Sequence, residues 1–119
     1  MQKHFLKLSD FTKGELDALF AVTRDERFVT ARHSLQSLWK VAVAGPKLTK
    51  AVVDRLSDRF RRCASEKNCT LVRYDITQVL RRVYDELADE KVRKKALALI
   101  ETEPDAEYRK KYSGLWRGV

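Results

Sequence analysis

The apolar positions of this chain recur every three or four residues almost from end to end. Leu16, Leu19 and Phe20 open the pattern, and Phe28, Ala31, Leu35, Leu38, Trp39 and Ala42 continue it. A third stripe is Leu48, Val52, Val53, Leu56, Phe60 and Cys63. Leu71, Val72, Ile76, Val79, Leu80, Val83 and Leu87 form a fourth, and Val92, Ala96, Leu99 and Ile100 a fifth. Side chains three and four apart share one face of an α-helix, so each stripe reads as a helix with one buried side. Tyr108 and Tyr112 mark a short sixth. The spacing predicts helices over 12–23, 27–43, 48–64, 70–87, 89–102 and 105–112. Phe28-Val29-Thr30 favours strand by propensity but lies within a helical period, and the period outweighs the propensity.

The breaks between stripes carry their own chemistry. Thr12-Lys13-Gly14-Glu15 reads as a capping box, with Asp10 a competing N-cap. Gly45 suits a left-handed helix end, and Pro46 can begin the next helix but not continue the last. Lys67-Asn68 is a turn in which Asn can take positive φ. Asp89 can cap the fifth helix, Pro104-Asp105 interrupts the chain, and Ser113-Gly114 precedes a tail with Leu115 and Trp116.

The second stripe overlays the fourth with a shift of 41 residues and no gap. Arg32 falls on Arg73, Ser34 on Asp75, Leu35 on Ile76, Leu38 on Val79 and Ala42 on Val83. A period near 40 made of two helices is what an α-solenoid requires. Asp89-Glu90-Lys91-Val92-Arg93-Lys94-Lys95-Ala96 resembles the HEAT-repeat pattern of Asp, then Val-Arg, then Ala, and Val72-Arg73 repeats the Val-Arg element. Asp25 to Arg32 is similar, but separates Val29 from Arg32 by three. The resemblance covers roughly residues 12–112. It implies an all-α, short right-handed stack of antiparallel helix hairpins, about six helices in one domain over 1–119, with units 12–43, 48–87 and 89–112. It also implies structural work for Asp25 and Asp89 as caps and for Arg32, Arg73 and Arg93 as links between repeats. Roughly three such units is the minimum for stability, so the chain reads as a small stack or as the C-terminal part of a longer solenoid, closed by Trp116 and the tyrosines.

Composition narrows the functional classes. The chain has 119 residues and 44% hydrophobic residues, which suits one domain and excludes a disordered tail. No apolar run approaches the roughly 20 residues of a membrane span, and the charged N-terminus lacks a secretory core, so the expected setting is cytoplasmic, away from membranes. Cys63 and Cys69 read as packed thiols, since their spacing does not match zinc and the two histidines lie elsewhere. No cofactor or metal is expected. His4 to Thr12 resembles the first helix of carbamoyltransferases, but the Ser-Thr-Arg-Thr-Arg phosphate loop of those enzymes is absent.

The net charge is +8, and all of it lies beyond residue 25. Arg55, Arg59 and Arg62 share a helix face at i, i+4 and i+7, and Arg81 and Arg82 lie on the following helix. These five form a candidate basic face that could follow a phosphate backbone without reading sequence. Asp54, Asp58, Asp85 and Glu86 interleave with them and could instead take them up as local helix pairs. The expected function is a non-catalytic interaction or scaffold module that binds a protein partner through a solenoid face. Nucleic-acid binding through the five arginines is the alternative, and a small helical enzyme using His33 is the third reading.

Overall fold

The computed structural model describes residues 13–24 and 27–119, with only the backbone at Phe28. The expected caps at Asp10, Thr12 and Asp25 lie outside the described residues. Seven α-helices follow one another: α1 Lys13–Val22, α2 Phe28–Gln36, α3 Trp39–Ala42, α4 Pro46–Arg62, α5 Cys69–Leu87, α6 Glu90–Glu101 and α7 Ala106–Gly114. A 3-10 turn, Cys63–Ser65, extends α4. No strand occurs among the described residues, and no described helix is long and apolar enough to cross a membrane.

The one element that departs from the periodicity is the second. A single helix over 27–43 is expected, and the chain instead breaks after Gln36. Two serines explain the break. Ser34 Oγ donates to the Ala31 carbonyl at 3.0 Å, and Ser37 Oγ to the Ser34 carbonyl at 2.8 Å. Such back-bonding competes with the helix ladder. The Ser37 amide is shared between the His33 and Ser34 carbonyls, and Leu38 bonds to Leu35, a tighter 3-10 pattern. Leu35, Leu38 and Ala42 still reach the core, because the tightened turn rotates α3 without redirecting it.

The caps follow local chemistry. Asp89 accepts from the Lys91 amide at 2.9 Å, as expected of it. Asp105, expected only to interrupt, caps α7 through the Glu107 and Tyr108 amides. Asn68 takes φ 63°. Gly45 is extended rather than left-handed, and Pro46 stands at the first turn of α4. Ala88 ends α5 in the left-handed region at φ 52°, where a Cβ is crowded.

Helix α5 is the centre of the packing. It lies against α2, α3, α4, α6 and α7; α1 packs on α2, α3 on α4, and α6 on both α4 and α7. Ile76, Val79, Leu80 and Val83 of α5 are buried against Val52, Leu56 and Phe60 of α4 and Val92, Ala96 and Leu99 of α6, within one continuous core. Each such side chain contributes about 1.5–3 kcal/mol by leaving water. Leu87 is the exception: it belongs to the α5 stripe, yet 41% of it is exposed.

Two arginines tie α5 to its neighbours through buried carboxylates. Arg32 of α2 grips Asp75 of α5 with two parallel bonds, 2.9 Å from Nε and 2.8 Å from a terminal nitrogen, and Asp75 is fully buried. Gln36 donates to the same carboxylate at 3.3 Å. The bond to Asp75 raises the affinity of the Arg32 guanidinium for its proton, against the opposing effect of desolvation. Arg73 of α5 donates to Glu103 at 3.0 Å and to the Phe60 carbonyl at 2.8 Å, and stacks on the Phe60 ring. Glu103 stands just beyond α6 and is 2% exposed. Arg32 and Arg73 are the two positions that coincide in the 41-residue overlay, and both reach forward to a later element. Arg93 does not; it pairs with Glu90 one turn away.

The Tyr112 hydroxyl completes the second cluster, 2.9 Å from the Thr70 carbonyl and 3.1 Å from Glu103. Burial, and then the Glu103 charge, push its ionisation well above the ordinary value of 10.0. The folded state therefore keeps this proton at a pH where the unfolded chain has lost it. Stability from Tyr112 is complete below about pH 10 and falls as pH rises further. Tyr112→Phe should cost about 1–3 kcal/mol at pH 8, and this cost should shrink toward pH 11, as read from urea midpoints of the two proteins. Ala88→Gly should raise stability by about 0.5–1 kcal/mol with an unchanged denaturant slope, since only the left-handed strain is removed.

Candidate functional site

The five arginines of the candidate basic face do not share a groove. Arg55 bonds to Asp17 of α1 and lies over the Phe20 ring. That bond is the main reason the Asp17 carboxyl is held below its ordinary value. Arg59 is 7% exposed, donating to the Thr23 carbonyl at 3.2 Å, the Thr23 hydroxyl at 2.7 Å and Glu66 at 3.1 Å. Arg62 is exposed and pairs with Asp58 at 3.1 Å. Arg81 bonds to Asp85 at 2.8 Å and to the Leu115 carbonyl at 2.9 Å. Arg82 lies 4.1 Å over the Trp39 ring, with Glu86 at 3.9 Å. Arg59 lines a cavity with Thr23 and Glu66, whereas Arg81 and Arg82 line another beside Trp39 and Leu115. All five have carboxylate partners, three of them within one turn of their own helix.

Neither the histidine nor the cysteines gather a reactive group. His33 is exposed on α2, with no acidic side chain bonded to it among the described residues. Cys63 and Cys69, expected as packed thiols, are joined as a disulfide across the turn between α4 and α5, with their Cα atoms 5.4 Å apart. The turn at Lys67-Asn68, with Asn68 left-handed, folds the chain back and brings the two together. Among the described residues no cluster of His, Cys, Asp or Glu could hold a metal ion.

A concavity larger than either of those beside the arginines lies between α4 and α6, with a volume of about 800 Å³. Pro46, Thr49, Lys50, Val53 and Asp54 form one wall; they follow one face of α4 at helical spacing. Lys91, Val92 and Lys95 form the other, on one face of α6. Val43 and the exposed Leu87 close the apolar floor. The groove lies where α5 ends at Leu87 and turns through the left-handed Ala88 into α6, which packs beside α4, and among the described residues nothing fills the gap between them.

Its polar groups divide into used and unused. Thr49 turns its hydroxyl onto the Ala42 and Gly45 carbonyls. Asp89 caps α6, and Asp54 takes the Lys50 ammonium at 2.8 Å, a bond that raises the Lys50 pKa. Lys91 and Lys95, one turn apart on α6, have no carboxylate partner among the described residues, since Leu99 lies at the next position on that face. Sequence reasoning did not single out this groove. The available signal was Leu87, the last apolar position of the fourth stripe, with no position left to cover it.

Comparison with protein-family models, with curated proteins and with solved structures finds no match.

The arginines separate into structural and superficial ones. Arg59→Ala should cost at least about 2 kcal/mol, because it leaves Glu66 and the Thr23 oxygens without a buried donor. Arg62→Ala should change stability by less than about 1 kcal/mol, as an exposed pair one turn apart. Thermal or urea unfolding of the two variants side by side measures the difference.

Proposed function

We propose that the chain is a short stack of HEAT-like helix hairpins that serves as a non-catalytic module binding a protein partner through one face. The pairing of elements supports the stack. Helices α1, α4 and α6 each pack on the helix that completes their unit, α2, α5 and α7. Successive units are joined by α2 against α5, α4 against α6, and α5 against α7. Arg32 and Arg73, equivalent in the overlay, carry the polar links between units. The observation that carries the function is the groove between α4 and α6, which among the described residues leaves Leu87 exposed between two helices whose own apolar stripes are buried.

A cytoplasmic setting goes with this reading. The Cys63–Cys69 disulfide is the feature that such a reducing setting would act to open.

A duplex titration separates this function from phosphate binding by the five arginines. A face neutralising five phosphates would give a log–log salt slope of about −4 to −5. With its arginines already paired, the chain should show a slope shallower than about −2 with a 20-base-pair duplex, measured by anisotropy between about 50 and 200 mM salt. A steep slope that disappears in Arg81→Ala/Arg82→Ala would overturn the protein-binding reading.

A further inference from the structure

We propose that the groove between α4 and α6 receives an acidic amphipathic helix from a protein partner. The inference rests on the reading of the chain as a protein-binding module, and it adds which surface is used and what chemistry fits it. The groove is lined in part by apolar side chains: Val53 and Val92 in its two walls are buried, and Leu87 is 41% exposed. The exposed part of Leu87 is available for apolar contact with whatever enters the groove. Thr49 on the α4 wall is already bonded to two carbonyls, so the polar groups left for an occupant are the lysines of the α6 wall. The occupant is therefore defined by apolar contact below and charge above.

The excess charge lies on the α6 side, where Lys91 and Lys95 stand against Asp89, whose carboxylate is taken up in capping the helix. Lys50 is neutralised by Asp54 on the α4 wall, while Lys91 and Lys95 on the α6 wall are not neutralised among the described residues. Two ammonium groups one helical turn apart repel each other. Carboxylates spaced one turn apart on a partner helix would face both, with the apolar residues of that helix turned onto Leu87, Val53 and Val92. Helix in groove fits the walls, because both are single faces of long helices. Rim charges of this kind act on partner choice and association rate, and their contribution weakens with salt.

Selection from a random 16-residue peptide library displayed on phage, against the full chain, tests this without presuming a sequence. Selected peptides are synthesised and titrated by anisotropy against the wild type, Lys91→Glu/Lys95→Glu, Leu87→Glu and a charge-matched control, Arg61→Glu/Lys110→Glu. Circular dichroism confirms that each variant is folded. The selected peptides should carry carboxylates among apolar residues. They should bind both groove variants at least about tenfold more weakly and the control less than about threefold more weakly. Neutral or basic peptides, or acidic ones indifferent to both groove variants, would overturn the groove assignment and leave the module reading in place. A selection that yields no binder would overturn both.

Discussion

Two guanidinium–carboxylate bonds through α5 hold the positions of its neighbours. Asp75 receives Arg32 from α2, and Arg73 of the same helix reaches Glu103 beyond α6. Asp75 and Glu103 are almost fully withdrawn from water, so each needs its partner in place: a buried carboxylate left alone is disfavoured by several kcal/mol. Against a well-packed apolar replacement such pairs contribute little to net stability. Their effect is positional. The apolar stripe of α5 would tolerate sliding by a turn with similar burial, but the two polar bonds would not. Register between helices is thus set by charge, and cohesion by the shared core.

That division explains what could be read from the chain alone. Helix existence and buried faces follow from spacing, and the stripes of α4 and α6 are buried at every position named for them. The turn at Asn68 and the cap at Asp89 follow from single-residue chemistry. The break after Gln36 was not legible, because Ser34 and Ser37 divert hydrogen bonds without disturbing the apolar period. The carboxylates Asp75 and Glu103 were not legible either. Each sits among polar residues in sequence and becomes buried only when a helix more than twenty positions away covers it. The 41-residue overlay pairs Arg32 with Arg73, and the two link α5 to α2 and to Glu103 beyond α6. Which carboxylate each would meet depends on packing that no periodicity encodes.

The interactions also sort the positive charge by residue type. At least nine arginines, among them Arg24, Arg32, Arg55, Arg59 and Arg73, sit in carboxylate pairs, against Lys13 and Lys50 among the described lysines. Arginine's planar fork matches a carboxylate bidentately and stacks on Phe20, Phe60, Trp39 and Trp116, and it is less strongly hydrated than an ammonium, so it is the cation that enters packed surroundings. Lysine stays in water. The net +8 therefore cannot be assigned to the arginine clusters that dominate the sequence, because those are largely neutralised where they stand. Much of it lies on lysines that sit in no carboxylate pair among the described residues, and Lys91 and Lys95 are the two of these that line the groove between α4 and α6. Arginine thus holds the described helices together, and lysine carries charge to the surface.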